Sequence, residues 1–245
     1  MALVLICEGP DDNRILRAMI PSVLREACDW LETEHCGFQG MTESDEYLAW
    51  KSVDQEHKSC FPGNFGMSHM GRFGGQPALP YSRSARKALQ VLKFRFTDTD
   101  GFVLVCDEDV RDSRRLDGLR QARDTSSLAS RTAVGVARPK LEAWVLAGFQ
   151  HETEIELAAL RAEIEALTFD PTQEPNRIRS QASGDVRDIK RVLDALTGGD
   201  HEREASAASS IDRICQNGRD AGAVEFIEEC RSRLAPLFGA ASRKN

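Results

Sequence analysis

The sequence predicts an α/β protein with a mostly parallel sheet, and three observations carry that prediction. Two short β-branched apolar runs, Leu3-Val-Leu-Ile-Cys7 and Phe102-Val-Leu-Val-Cys106, each stop abruptly at carboxylates. A run of this kind, entered and left by polar residues, reads as a strand buried on both faces. Strand-like and helix-spaced segments then alternate through residues 1–150 with connections long enough for crossovers, the pattern of βαβ units. Beyond Gln150 the spacing is almost purely helical, which adds an all-helical extension over 151–245.

The elements follow in order. From Asn13 to Trp30, apolar residues at 15, 16, 19, 20, 23, 24 and 27 form one helical face, with Asp11 or Asp12 as a suitable N-cap. Pro21 predicts a kink or an early end. Residues 33–80 lose periodicity and gain glycine, which reads as an irregular insertion holding one helix near 44–52. Helical spacing returns from Ser82 to Phe96, capped by Ser82 or Ser84. A strand at 101–106, an arginine-rich helix at 112–125 and a strand at 131–137 come next. Pro139 opens a helix through about Phe149, a position where proline is tolerated. Further helices are expected near 152–167, 185–197, 205–217 and 220–236, punctuated by Asp170-Pro171 and Gly198-Gly199.

At 245 residues the chain can bury a substantial core, as one domain with an appendage or as two small ones. Its 41% hydrophobic and 29% charged content are ordinary for a globular protein. No apolar stretch approaches a membrane span, and the first residues read as a strand, so no signal peptide is expected. Seven scattered cysteines, two of them inside strands, suit a reducing compartment, so the cytoplasm is expected. The net charge of −7 argues against a protein that simply coats DNA. Arginines nevertheless crowd after the second strand, at 111, 114, 115, 120 and 123. They suit phosphate contacts and a solvated helix face equally well.

The strand ends carry the chemistry. Acids at the C-terminal ends of parallel strands sit where open α/β sheets bind ligands. Glu8 from one strand, and Asp107 and Asp109 from another, are expected to converge there. Asp107 and Asp109, two apart, point the same way in an extended chain, and Glu108 points away to solvent. Three like charges in one crevice call for a cation, and hard oxygen ligands suit Mg²⁺ or Mn²⁺, as one or two ions. This pattern indicates divalent-metal phosphoryl transfer.

A Glu-Gly after the first strand (Glu8-Gly9), followed by Asp-x-Asp (107–109) after a hydrophobic strand, resembles the Toprim domain. That domain is shared by topoisomerases, primases and nucleases of the OLD and RNase M5 groups. The segment Ala137-Arg-Pro-Lys-Leu-Glu-Ala-Trp-Val-Leu146 resembles a third motif of small bacterial OLD-like proteins. The likeness covers residues 1–150 well and 169–237 more loosely. It implies a Toprim-like catalytic domain, a metal-dependent nuclease acting on DNA ahead of RNA, and a catalytic edge of Glu8, Asp107 and Asp109. It further implies Glu142 and Asp12 as ligands of a second metal, with Asp11 the rival of Asp12. Helix capping is the blander account of both aspartates, and the helix dipole that of Glu142. Lys190 is the implied catalytic cation, with Arg138 and Lys140 as competitors. Arg111, Arg114, Arg138 and Lys140 are candidate substrate contacts. Trp144 and Leu146 are expected to pack the helix onto the sheet. The resemblance also implies an ABC/SMC-type ATPase partner in anti-phage defence, because the chain carries no ATP-binding motif of its own; a homo-oligomer is compatible with it.

Other readings stay open at this point. His35, Cys36, His57, Cys60 and His69 invite a zinc site, but only His57-x-x-Cys60 makes a plausible pair. A primase or topoisomerase would need a further domain or a transesterifying tyrosine, and the chain has only Tyr47 and Tyr81. A catalytically silent sensor or partner-binding module would keep the fold and lose the reaction.

Overall fold

The computed structural model describes residues 2–28, 30–31, 36–41, 45–63, 72–96, 101–108, 114–180 and 182–239. Three long parallel strands make its centre: β1 (Ala2–Cys7), then, further along the chain, β6 (Gly101–Asp107) and β7 (Thr132–Ala137). Two short strands, β2 (Gly37–Gln39) and β3 (Leu48–Ala49), pair one after the other along the outer edge of β1, also in parallel. The segment expected to be an irregular insertion therefore supplies one edge of the sheet. Strands of two and three residues carry too little period-2 signal to be seen in sequence. A separate hairpin pairs β4 (Arg72–Phe73) with β5 (Gln76–Pro77).

Ten α-helices among the described residues cover both faces. Along β1 and β6 the side chains alternate between two cores. Leu3, Leu5, Cys7, Val103 and Val105 face one, and Val4, Ile6, Phe102, Leu104 and Cys106 face the other. The second core is closed by α2 (Val53–Cys60), α3 (Ser82–Arg95) and α4 (Arg115–Asp124). The first is closed by α1 (Pro10–Ala27) and α5 (Glu142–Gly148) together with α7 (Ile189–Thr197), α8 (His201–Ala208), α9 (Ile211–Asn217) and α10 (Ala223–Arg233). Between α5 and α7, α6 (Glu154–Leu167) packs on α7. The C-terminal helices are thus part of the wall of the sheet. Trp144 is fully buried and stacks on Phe226 of α10 at 5.0 Å, and its Nε1–H donates to the Ala221 carbonyl. All seven cysteines carry free thiols. Among the described residues, no helix is long and apolar enough to cross a membrane.

Several expected boundaries move. Helix α1 starts at Pro10 with Gly9 as N-cap, not at Asp11 or Asp12, and it continues through Pro21. Pro21 is buried with its neighbours, so packing outweighs the one lost backbone hydrogen bond. The helix expected near 44–52 lies at 53–60, after a single 3₁₀ turn at Trp50–Ser52. Helix α3 is led by Tyr81 in a left-handed conformation, while the Ser82 hydroxyl donates backwards to the Leu79 carbonyl. The helix expected over 185–197 starts only at Ile189, capped by the Asp188 side chain, and that over 205–217 is split at Ser209-Ser210 into α8 and α9. The last helix ends at Arg233 and passes into a 3₁₀ turn over Ala235–Phe238.

Candidate functional site

Parallel pairing puts the C-terminal ends of β1, β6 and β7 on one edge, and the candidate acids leave from there. Ile6 is level with Leu104, and Asp107 with Ala137, so Glu8 follows β1, Asp107 closes β6, and Glu142 opens the first turn of α5 after β7. Asp107 continues the side of Val103 and Val105, towards α1 and α5. Its Oδ1 accepts from the Leu141 backbone N–H at 3.1 Å. Glu8 continues the side of Val4 and Ile6, towards α4. The pleat therefore divides the acids between the two faces of the edge.

Electrostatics ties them together. Burial, then the charges of Asp12, Glu142 and Glu8, push the Asp107 carboxyl up to about 8 from its usual 3.8. Asp12, buried in α1, is pushed up to about 6 by burial and by Glu142 and Glu8, although its Oδ2 accepts from the Glu8 N–H at 3.0 Å. Glu8 is raised by burial, and this is opposed by the Arg115 guanidinium and by a hydrogen bond from the Asp107 N–H. The hydrogen bond from Glu8 N–H ties Asp12, in the first turn of α1, back to the residue after β1, so a capping-like role and a place in the acidic cluster belong to the same residue.

One cation reaches the edge from the C-terminal helices. Lys190, in the first turn of α7, places Nζ 3.3 Å from Oε1 of Glu142 and 3.3 Å from Oδ2 of Asp11. Glu142 is only 5% exposed, and its charge raises the lysine further above its ordinary value. A partner arrives from the other face as well. Arg115 donates from Nη1 to the Asp107 carbonyl at 2.6 Å, and its guanidinium lies 4.7 Å from the ring centre of Tyr81. Arg115 was one of five arginines in sequence, with nothing to set it apart; its position at the first turn of α4 does so.

The remaining candidates are distributed as follows. Arg138 is held by Glu108 at 3.6 Å and by Glu225 at 3.2 Å. Glu108, expected to face solvent, is only 18% exposed in its side chain because of that pairing. Arg114 is exposed at the N-cap of α4, and Lys140 is half-buried beside Glu142. Asp109 and Arg111 lie outside the described residues, as do His35 and His69. His57 Nε2 lies 2.8 Å from Oε1 of Gln90, and Cys60 packs in the apolar core. Among the described residues, no three His, Cys, Asp or Glu side chains stand close enough to hold one ion as they lie. His57 and Cys60 are thus joined by no third such side chain among the described residues.

The fold and site define an α/β protein with an acidic crevice at the carboxyl edge of a parallel sheet and a lysine set against it. Compared with protein-family models, characterised proteins and solved structures, the chain matches none, so the Toprim resemblance rests on its motif residues and their placement.

Proposed function

We propose that this chain is a divalent-metal-dependent phosphodiesterase of Toprim type, a nuclease acting on DNA ahead of RNA. The observation that carries the proposal is that Glu8, Asp107 and Glu142 follow the C-terminal ends of β1, β6 and β7 on one sheet edge, close enough with Asp12 that Asp107 and Asp12 are raised by burial and by their acidic neighbours. Acids crowded so that their neighbours raise them are relieved by a cation, and perturbed carboxylates at such an edge mark functional sites.

The donor set suits Mg²⁺ or Mn²⁺, since it is all oxygen and hard. Asp107 and Glu142 each have one oxygen engaged by a donor, and a carboxylate has further acceptor capacity for an ion. Glu8, Asp107, Asp109 and Glu142, with Asp12 behind them, would hold one or two ions. A bound ion would supply Lewis-acid neutralisation of the scissile phosphate. The chain's own residues do the rest. Lys190 holds positive charge beside Glu142, placed to meet charge developing on a phosphoryl oxygen. Arg115 fixes the end of β6 through the Asp107 carbonyl. Arg111, Arg114 and Lys140 are the proposed contacts to the flanking backbone; Arg138, paired with Glu108 and Glu225, is the weakest of that set. An ABC/SMC-type ATPase partner remains part of the proposal through the resemblance alone.

The test is incubation with supercoiled plasmid and with RNA, in Mg²⁺, Mn²⁺ or EDTA, with and without a candidate ATPase. Cleavage in metal that stops in EDTA supports the reading. Cleavage that persists in EDTA refutes the metal mechanism, and metal binding without any cleavage favours the silent sensor.

A further inference from the structure

Helix α3 carries five cations and no acid, in a chain of net charge −7. Two of them are neutralised on the flank towards α2: Lys87 by Asp54 at 2.7 Å and Arg95 by Glu56 at 3.8 Å. The others, Arg83, Arg86 and Lys93, stand at i, i+3 and i+10, and with Gln90 at i+7 they share one face of the helix. Arg83 and Lys93 are exposed and make no ion pair among the described residues. The Arg86 guanidinium lies 3.4 Å from the centre of the Phe73 ring and donates to the Arg72 carbonyl at 2.9 Å. These two groups are neutral, so they orient the guanidinium without cancelling its charge, and burial lowers it from its ordinary value.

A pocket of about 260 Å³ opens between this face and the turn that follows α4. Arg86, Gln90 and Lys93 line one side, Thr125, Ser126 and Ser127 the other, and among the described residues no carboxylate lines it. Asp124, beside Thr125, is engaged instead by Nε of Arg123 at 2.8 Å. Ser126 Oγ accepts from the Leu128 N–H at 3.2 Å, which leaves its O–H to donate. Two cations with amide and hydroxyl donors, undiluted by acids, suit an anion that offers several acceptor oxygens, as a phosphate does. The position of the helix says which phosphate. Tyr81, the N-cap of α3, has its ring centre 4.7 Å from the Arg115 guanidinium, which in turn holds the Asp107 carbonyl, so α3 starts at the acidic edge. From Arg83 to Lys93 the helix rises about 15 Å, which matches about four nucleotide steps of a duplex strand. A lone ion would need the pocket only; a row of cations leading away from the edge fits successive phosphates of one strand.

We infer that this face of α3, with the turn after α4, holds the phosphate backbone of the nucleic-acid substrate on one side of the scissile position. The inference rests on the nuclease reading for the identity of the substrate, and deepens it by giving the strand its path. Arg83 meets the backbone near the edge, and Arg86 and Lys93 hold a phosphate further along, over the Ser126 hydroxyl. Contacts of this kind position the strand and carry no sequence information.

The experiment measures binding in EDTA, which does not depend on catalysis, and sets it beside plasmid cleavage in Mg²⁺ or Mn²⁺. Fluorescence anisotropy follows labelled DNA duplexes of two unrelated sequences across a salt series. Arg83→Gln and Lys93→Gln should each weaken binding of both sequences alike and reduce the slope of log K against log salt by about 0.9, the share of one phosphate contact. Lys93→Arg should keep the wild-type slope. Arg161→Gln, which removes an exposed cation from α6, should leave affinity and slope unchanged. Circular dichroism checks that every variant folds. Wild-type slopes in Arg83→Gln and Lys93→Gln overturn the inference, as does an equal change in Arg161→Gln. If plasmid is cleaved in metal while the slopes stay at wild type, the path along α3 falls and the nuclease reading stands. If the slopes change as expected but nothing is cleaved, the backbone surface stands and the nuclease reading falls. If nothing is bound and nothing is cleaved, both fall.

Discussion

Replacing Asp107 with Asn should stabilise the metal-free protein, and the direction follows from the electrostatics of the edge. The side chain keeps its size, and its amide oxygen can still accept from the Leu141 N–H. Only the charge is lost. In the folded wild type the Asp107 carboxyl is raised to about 8 from 3.8, so folding favours its protonated form. That penalty is fully present above about pH 8, shrinks as the pH falls through the folded value, and is absent below 3.8. At about 1.4 kcal/mol per pH unit, the interval sets a ceiling on the order of 6 kcal/mol. Asp107 is only partly buried and solvent relaxes around it, so about 2–3 kcal/mol is the expected gain at pH 8.5 in low-salt EDTA. For a chain of this size that is a rise in Tm of about 5–10 °C. Thermal unfolding of both proteins from pH 4 to pH 9 measures it. The gain should vanish near pH 4, and added Mn²⁺ should stabilise the wild type more than the variant. In the plasmid assay the same variant should be inactive. A variant no more stable than wild type at pH 8.5, or a gain of equal size at pH 4, would refute the reasoning.

Lys190→Ala should lower kcat about a hundredfold while changing nucleic-acid affinity much less, as expected for a cation that acts mainly in the transition state. Equal losses in both would make Lys190 a simple binding residue. Gly135→Val should cost about 1–3 kcal/mol, because a Cβ there would lie 2.8 Å from the Phe226 ring; an unchanged Tm would show that α10 can move off β7. Glu229→Ala should cost about 1–3 kcal/mol, because the buried Arg123 keeps Asp124 at its Nε but loses the partner of its Nη1. Denaturant unfolding with less than about 1 kcal/mol of loss would show that Arg123 finds water or another acceptor.

Much of the centre of this protein could be read from local pattern. β1, β6 and β7 declare themselves because strands buried on both faces need continuous apolar runs, and these end in polar residues where the sheet stops. Glu8 and Asp107 were legible because they stand at those ends, and Glu142 through the likeness of the segment around it to a known motif. The helices over 82–95, 154–167 and 223–233 have their apolar spacing in plain view. Less could be read where partners distant in sequence decide. β2 and β3 exist only because β1 offers an open edge, and α1 survives Pro21 because its apolar face is buried. Arg115 is one arginine among five until the approach of α4 brings it to the Asp107 carbonyl. The pocket between α3 and the turn after α4 has no local signature, since its two walls meet only when those helices pack side by side. Hydrophobic periodicity is a property of neighbouring residues, so the sequence by itself determined the strands, most of the helices and the acids at the strand ends. Convergence, burial and the repulsion that raises Asp107 depend on distances between segments, and those only the tertiary structure decided.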